Sequence, residues 1–483
     1  MEMAMLNNDL QKLGKADVKR LEEIVQLTMG VLIDSIHDKS EDLELITTKY
    51  ARKNERENAL IDFISSYLDG AFNNYIAVPR YVQKSRARQD ILIFVGTHWQ
   101  EIVYQQLIDF VRDCCRKMGL MDCLCGDPDF MNPLIEQFAF RRSHYRHNRV
   151  PQGEVWINML NGTLEIHDGG KIDFREHRAD DFFTYVLHYA YDPNADSPMW
   201  HTFLARVMPE TEMQMLLAEY IGYCFTKNMK LEKMAVLYGT GCNGKSVTMD
   251  VIEHILGKEN VSHVSLSSAT TDDEKRTHLE GKLVNISPES SKNIDTATLK
   301  QLVSGEPVNV RKLYVGSYVI YDYAKLITSF NQLPPTERTF GYFRRWLLFP
   351  FKVTIPEDEQ DINLVRKLCD ELPGIMNWVL EGLKRLTMTK AFTNSPACNS
   401  ALADYQKRTN SALMYLTENC EIDDYTPTKL KDLYANYVLY CNSEGISTKM
   451  LKRNFRENLE TFGAKRTEYN HTDYYNVKIL NYE

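Results

Sequence analysis

The feature that most constrains this chain is an apolar run that leads directly into a glycine-rich loop and then into an amphipathic helix. The run is 234–238, the loop is 239–246, and the helical pattern continues over 247–256. Glycines let backbone N–H groups approach phosphate oxygens closely, and a helix N-terminus attracts the same negative charge. The segment therefore predicts a strand, loop and helix that together bind a nucleoside triphosphate.

The members of this loop have separate expected roles. We predict that the nucleotide is held by Gly239, Thr240, Gly241, Cys242, Asn243, Gly244, Lys245, Ser246 and Val247. Lys245 is expected to reach the β- and γ-phosphates of ATP, and Ser246 is expected to bind Mg²⁺. The alternative is a glycine turn in a linker, and the helical pattern that follows the loop argues against it.

Length and composition bound the class of protein. The chain has 483 residues, which exceeds a single core and suggests about three domains. It has no apolar run near the roughly 18 residues of a membrane span and no basic signal-peptide start, so we expect a cytoplasmic location and no membrane partner. Its ten cysteines follow no regular framework and are expected to be reduced thiols. Because the net charge is −9, any contact with nucleic acid must come from local basic patches.

The patterns along the chain divide it into four regions. Residues 1–95 are expected to form a helical N-terminal region of unknown role, and residues 96–230 a mostly helical domain in which 99–120 is one helix. Residues 231–390 alternate strands and helices, which predicts a parallel α/β sheet. Residues 391–483 follow the order helix, helix, basic helix and hairpin of a winged-helix module.

Two polar residues follow the later strands of the predicted sheet. Glu289 comes just after the strand 282–286, and Asn331 comes directly after the strand 325–330. Ligands bind beyond the carboxyl ends of parallel strands, so Glu289 is a candidate catalytic carboxylate near Mg²⁺, and Asn331 a candidate contact to the γ-phosphate or the water. The alternatives are a surface glutamate and a turn-forming asparagine before prolines.

Cations occur at two further places. Arg344 and Arg345 precede the apolar run 346–351, and a guanidinium at a subunit boundary would stabilise charge on the γ-phosphate of a neighbouring protomer. A surface arginine pair is the alternative. A helix followed by a hairpin carries cations that suit a loop in a DNA channel. These cations are Lys300, Arg311 and Lys312.

Taken in order, these motifs resemble those of superfamily 3 helicases, in the phage, plasmid and poxvirus primase-helicase branch. The matching segments are the loop Gly-x-Gly-x-Asn-Gly-Lys-Ser, the strand before Glu289, Leu-Lys-Gln-Leu-x-Ser-Gly-Glu-Pro from Leu299, Phe-Asn-x-Leu-Pro around Asn331, and the arginine pair with Pro-Phe after it. The resemblance implies an AAA+-like core that assembles as a hexameric ring and uses ATP to translocate along single-stranded DNA.

The same resemblance implies a role for each residue. Lys245 and Ser246 bind ATP and Mg²⁺, Glu289 activates water beside the metal, and Asn331 senses the phosphate. Arg344 or Arg345 is the arginine finger, and the cations around the hairpin contact DNA. The implied protein is an ATP hydrolase, a DNA helicase that replicates a phage, plasmid or other mobile element, acts on forked DNA and works with a separate primase or polymerase. The alternatives are an ATP-regulated, DNA-binding replication initiator and a duplex-DNA motor without strong unwinding.

Overall fold

A computed structural model describes most of the chain. The described residues are 18–72, 75–80, 90–142, 150–227, 229–287, 294–313, 316–331, 340–444 and 450–480. They form a mixed α/β structure in which a helical region precedes a parallel sheet. No helix in this part of the chain combines the length and the apolar character that crossing a bilayer requires. All ten cysteines lie in it, and none forms a disulfide.

The N-terminal region is built mainly from helices, as expected. Its elements are α1 (Val18–Asp34), α2 (Ser40–Lys49), α3 (Lys53–Ala71), β1 (Ile76–Arg80), β2 (Asp90–Phe94), β3 (Trp99–Ile102), α4 (Tyr104–Lys117), α5 (Asp122–Cys125) and α6 (Pro128–Arg142). Their apolar side chains form one core from Val25 to Ala139, with members on both sides of residue 95. The domain boundaries drawn from the sequence stay predictions.

The single helix expected over 99–120 is wrong in its first turn. Residues 99–102 form β3, which pairs antiparallel with β2, and the helix starts only at Tyr104. The reason is a tertiary contact, because the Trp99 ring packs between Phe94 and Phe182, at centroid distances of 5.6 and 5.1 Å. Gly96, with φ of +89°, allows the turn between the two strands.

A second antiparallel sheet and two helices follow. They are β4 (Val155–Met159), β5 (Gly162–Ile166), β6 (Ile172–Arg175), α7 (Pro198–Val207) and α8 (Thr211–Cys224). Asn161-Gly162 is a dipeptide typical of the turn between two hairpin strands, and a hairpin does form here. However, Met159 pairs with Gly162, so the turn residues are Leu160 and Asn161. Asn161 is placed by its side chain, which accepts a hydrogen bond from the Tyr191 N–H (2.8 Å) and donates one to the Tyr191 carbonyl (3.0 Å).

The parallel sheet expected after residue 231 is confirmed. Its region contains β7 (Met234–Tyr238), α9 (Lys245–Leu256), β8 (Val261–Ser262), α10 (Leu266–Thr271), β9 (Val284–Ser287), α11 (Thr296–Val303), β10 (Val308–Lys312), β11 (Gly316–Ile320), β12 (Lys325–Phe330), α12 (Phe340–Phe343) and β13 (Trp346–Pro350). The five strands of the sheet lie in the order β13, β7, β12, β9, β8, all parallel. Strands β10 and β11 form a separate antiparallel hairpin.

The sheet is buried on both faces. Along β7, Ala235 and Leu237 belong to one apolar core, and Met234 and Val236 belong to another on the opposite face. Parallel strands covered on both sides favour near-continuous apolar runs, which explains why this run was visible in the sequence.

Two helices beside the sheet cross at glycines. After α13 (Leu364–Cys369), α14 (Leu372–Thr389) packs against α8. A Cβ at Gly382 would lie 2.6 Å from the Ala218 carbonyl carbon, and one at Gly222 would lie 2.8 Å from the Leu383 Cβ. The helices therefore approach more closely than any side chain at these two positions allows.

The C-terminal region has a core of its own, from Ala412 to Ile479. Its elements are α15 (Pro396–Thr409), α16 (Ser411–Asn419), β14 (Cys420–Ile422), β15 (Thr428–Lys429), α17 (Leu430–Ser443), α18 (Lys452–Phe462), β16 (Arg466–Tyr469), β17 (Thr472–Tyr475) and β18 (Val477–Ile479). Strands β15, β17 and β16 form one sheet in that order, and β14 pairs with β18. The expected basic helix is present as α18, although residues 447–449 lie outside the described part of the chain.

The glycine crossing generates a stability prediction. We expect Gly382→Ala to lower stability by about 1–3 kcal/mol, because the new methyl group collides with the α8 backbone. Gly30→Ala is the matched control, since Gly30 also lies within a helix but has open space around its Cβ position, and it should stabilise by up to about 1 kcal/mol. Thermal unfolding of the full chain measures both, and equal melting temperatures for the two variants would contradict the close crossing.

Candidate functional site

Strand register brings candidate residues together where the parallel strands end, at the carboxyl-terminal edge of the sheet. Phe330 of β12 pairs with Tyr238 of β7, so Asn331 and the loop that starts at Gly239 leave the sheet side by side. Thr328 of β12 pairs with Ser287, the last residue of β9. Glu289 follows Ser287 by two positions in the sequence and lies outside the described residues.

The base of the loop is hydrogen-bonded to both neighbouring strands. The Gly239 N–H donates to the Phe330 carbonyl of β12 (3.2 Å), and the Phe351 N–H, just past β13, donates to the Tyr238 carbonyl (2.7 Å). Asn243 is 3% exposed, and its Nδ2 donates to the Phe351 carbonyl (3.2 Å). The loop is thus held from both sides at the point where it leaves β7.

Two glycines of the loop are required by geometry. A Cβ at Gly239 would lie 2.3 Å from Asn243 Nδ2 and 2.4 Å from the Phe351 carbonyl oxygen. Gly244 has φ of +89°, in the left-handed region, and a Cβ there would lie 2.7 Å from Val207 Cγ1. The backbone can take this path only where no side chain intervenes.

The Lys245 ammonium lies inside the loop. Lys245 is 7% exposed, and its Nζ donates to the Gly239 carbonyl and to Asn243 Oδ1 (3.1 Å). Ser246, the next residue, is exposed at the start of α9. A buried ammonium, glycine N–H groups and a helix N-terminus together make this loop attractive to an anion.

The order of the strands puts Asn331 in a central position. Because β12 lies between β7 and β9, the exposed Asn331 stands between the loop and the end of β9. A ligand seated on the loop would therefore have the amide on the side that faces β9. This placement fits a contact to the terminal phosphate or to a water beside it.

The structure places the arginine pair where the parallel strands begin, at the opposite, amino-terminal edge of the sheet. Trp346 pairs with Met234 at the start of β7, and the Met234 N–H donates to the Arg345 carbonyl (2.8 Å). Strand β7 separates these residues from the loop by about 13 Å at 3.3 Å per residue. Neither arginine is positioned to reach the loop of its own chain.

The two arginines have different surroundings. Arg345 is 12% exposed and donates to Ser304 Oγ (2.9 and 3.2 Å) and to the Gly341 carbonyl (2.5 Å). Arg344 is 46% exposed and pairs with Glu232 at 2.6 Å. Arg345 thus joins α11 to α12, whereas Arg344 lies on the surface. Burial and the positive charge of Arg344 lower the pKa of Lys233.

The hairpin cations lie at the exposed end of a well-anchored hairpin. Val308, Val310 and Ile320 are buried in the core that also contains α11, while Arg311 and Lys312 are exposed near the turn. Within the described part of the chain, neither cation forms an ion pair. Lys300 lies on α11 and is partly buried, so it does not project with them.

Sequence reasoning missed Arg276, which ties the hairpin to the site. Arg276 is 5% exposed and donates to the carbonyls of Ala269 (2.7 Å) and Thr270 (3.0 Å) of α10 and of Asn309 in β10 (2.8 Å). At the other end of α10, the Leu266 N–H donates to Ser287 Oγ (3.1 Å) at the end of β9. All of the Arg276 contacts above are to backbone carbonyls, so no pairing of residue types in the sequence signals them.

Two domain families match parts of the chain. Residues 78–209 match the family described as D5 N terminal like. Residues 237–345 match a family of unknown function, DUF5906. The second match runs from the end of β7 to Arg345, so it contains the loop, Asn331 and the hairpin.

Curated relatives come from DNA viruses. A protein named "Putative helicase" of Acanthamoeba polyphaga mimivirus is 25% identical over 343 residues, which are 64% of this chain and 33% of that protein. A protein named "Putative primase" of African swine fever virus is 25% identical over 178 residues, which are 34% of this chain and 17% of that protein. The matched part is thus about a third or less of each relative. Among solved structures, the apo A form of the NrS-1 C-terminal region covers 68% of this chain and 97% of its own, with 11% identity and a TM-score of 0.36.

Proposed function

The chain is related to the primase-helicase branch of superfamily 3 helicases, and on this premise we propose that it is an ATP-dependent DNA helicase in the replication of a phage, plasmid or other mobile element. The observation that carries the proposal is that the glycine-rich loop, Asn331 and the end of β9 meet at one edge of the sheet. Hydrolysis of a nucleotide needs phosphate binding, water positioning and a base within one site.

In this proposal the loop is the P-loop of an AAA+-like core. Its N–H groups hold the phosphates of ATP, and Gly239 and Gly244 keep the cradle open where a Cβ would fill it. Lys245 exchanges the Gly239 carbonyl and Asn243 Oδ1 for the β- and γ-phosphates. Ser246 is exposed rather than packed in the core, so its hydroxyl can serve as a ligand of Mg²⁺. Bound Mg²⁺ supplies positive charge to the phosphates.

The other residues at this edge complete the hydrolysis scheme. Glu289 accepts a proton from the attacking water and adds a carboxylate near the metal. Asn331 holds the water or the γ-phosphate from the next strand. The sheet order supports this division, because Asn331 lies between the loop and the strand that leads to Glu289.

The arginine finger acts in trans in this proposal, and it is Arg344. The strand β7 keeps Arg344 away from the loop of its own chain, so it can act only on the site of a neighbouring protomer. Its exposure suits this role, whereas Arg345 holds α11 and α12 together. A hexameric ring places such an arginine against each site.

The hairpin of β10 and β11 is the proposed contact to single-stranded DNA. At its end are Arg311 and Lys312, two exposed cations without an ion pair among the described residues, and Lys300 lies on α11. Arg276 and α10 link the hairpin to Ser287 at the end of β9, close to the position of Glu289. A change at the nucleotide can therefore reach the DNA contact through a short hydrogen-bonded path.

The C-terminal region is proposed to be a winged-helix module. Helices α16, α17 and α18 precede the β16–β17 hairpin, and together with β14 and β18 they surround one core. Forked DNA is the proposed substrate, and a separate primase or polymerase is the proposed partner at the fork.

The first test is strand separation on forked DNA with either a 3′ or a 5′ single-stranded tail. The parent should unwind one geometry in the presence of ATP and Mg²⁺, and Lys245→Ala should fall to background because the phosphates lose their ammonium partner. Lys367→Ala removes a surface lysine of α13 and is the control that should stay active. ATP hydrolysis without strand separation in either geometry would favour the replication initiator or the duplex-DNA motor instead.

The proposed arginine finger is tested by mixing two variants that are each inactive alone. Arg344→Ala should lower hydrolysis by roughly 10³-fold or more, since the charge on the γ-phosphate loses its partner. A mixture of Arg344→Ala and Lys245→Ala protomers should regain activity, because some interfaces then combine an intact loop with an intact arginine. If the mixture is as inactive as its components, while gel filtration shows mixed rings, Arg344 does not act in trans.

The hairpin is tested through DNA stimulation. Lys312→Ala should lose most of the DNA-stimulated hydrolysis and keep the basal rate, because Lys312 belongs to the hairpin and not to the proposed nucleotide-binding loop. Its binding to single-stranded DNA should also show a log K against log salt slope that is shallower by about 0.7, the value for one lost phosphate contact. Unchanged stimulation, unwinding and slope would show that this hairpin does not contact the strand.

A further inference from the structure

A groove of about 450 Å³ lies in the C-terminal region, away from the proposed ATP site. The side chains around it include two tyrosines, a lysine and a threonine. We call it the tyrosine groove and define it by Asp424, Pro427, Lys465, Thr467, Tyr469, Tyr474 and Asn476.

The groove follows the outer face of the sheet of β15, β17 and β16. Side chains alternate across a strand, so Tyr475 is fully buried in the module core while Tyr474 faces the other way. Tyr469 is 67% exposed on the same outer face. Because Tyr469 is not part of the module core and is largely exposed to solvent, its ring is available to a ligand.

The two rings are spaced apart. Tyr469 pairs with Thr472, and Tyr474 pairs with Thr467, so the tyrosines are diagonal neighbours, whose Cα atoms are about 7–8 Å apart in an antiparallel pair. Within the described residues the rings do not pack on each other. The Lys429 ammonium lies 6.0 Å from the centroid of the Tyr474 ring. The arrangement presents two separate aromatic rings to flat groups entering the groove, with a cation beside one of them, and the bases of single-stranded nucleic acid stack on such rings.

The charges on the two faces of this hairpin differ. On one face, Asp473 pairs with Arg456 and Arg466, and Arg466 also reaches Glu468, so these charges are neutralised internally.

On the groove side, neither Lys429, which pairs in register with Tyr474, nor Lys465 forms an ion pair within the described chain. The acid beside them, Asp424, accepts a hydrogen bond from Asn476 Nδ2 (2.5 Å). The groove side therefore carries two cations, Lys429 and Lys465, and one carboxylate, Asp424, and the excess of positive charge complements a chain of phosphates.

We propose that the tyrosine groove binds single-stranded DNA, with bases stacked on Tyr469 and Tyr474 and phosphates beside Lys429 and Lys465. Duplex DNA does not fit this chemistry, because its base faces are already stacked on each other. The contact lies outside the motor and needs no nucleotide. It would hold the strand at a second point while the motor moves it.

The direct experiment is photocrosslinking of the full chain, without ATP, to an oligodeoxythymidine that contains 5-iododeoxyuridine. Mass spectrometry should find adducts on Tyr469 or Tyr474. This result does not depend on hydrolysis or unwinding, so it stands or falls separately from the helicase proposal. Binding of the oligonucleotide with adducts only outside the groove would overturn the inference.

Variants give an independent readout by fluorescence anisotropy. Tyr469→Ala with Tyr474→Ala should weaken oligonucleotide binding about five-fold or more, and Lys465→Gln should make the salt slope shallower by about 0.7. Tyr425→Ala is the matched control, since Tyr425 is 94% exposed in the same module and does not line the groove. Its affinity should equal that of the parent.

Two outcomes of these measurements reject the groove as a single-strand site. One is equal affinity for the double tyrosine variant and the parent. The other is displacement of the oligonucleotide by a fully paired duplex at the concentration at which the unlabelled single strand displaces it. Circular dichroism of each variant confirms that the module is folded when its affinity is measured.

Discussion

The pairing of β12 with both β7 and β9 is the constraint on which the rest of the site depends. Hydrogen bonds in a parallel ladder fix where each strand ends relative to its neighbours, and here they bring the ends of β7, β12 and β9 to one edge. The loop and Asn331 need no further device to meet beside the end of β9. The same register, carried on into β13, sets the arginine pair at the far edge.

Much of this arrangement could be predicted from the sequence because it depends on local pattern. Strand β7 is an unbroken apolar run, since both of its faces are covered, whereas β12 combines apolar residues with the buried Thr328 and Ser329. The bounds of both strands agree with the sequence prediction. The loop was recognisable because its glycines are required by backbone geometry. In contrast, β3 was missed because Trp99 is held by rings distant in the chain, and the turn at Leu160 is set by Tyr191.

Long-range polar contacts were the least visible in the sequence. Arg344 and Arg345 are adjacent and chemically identical, yet one joins two helices and the other lies on the surface. Arg276 carries three backbone contacts that no spacing of residues indicates. Such roles follow from which backbone groups a fold leaves within reach of a guanidinium, and that depends on the tertiary structure.

The position of the Lys245 ammonium has a consequence for selectivity. This group donates hydrogen bonds to the Gly239 carbonyl and to Asn243 Oδ1. An incoming anion must replace both before it gains the charge of the lysine. A lone inorganic phosphate has few contacts with which to do so, whereas a chain of linked phosphates also engages the loop N–H groups and α9. In the proposed function these two hydrogen bonds therefore favour linked phosphates over a single phosphate ion as the ligand of this loop.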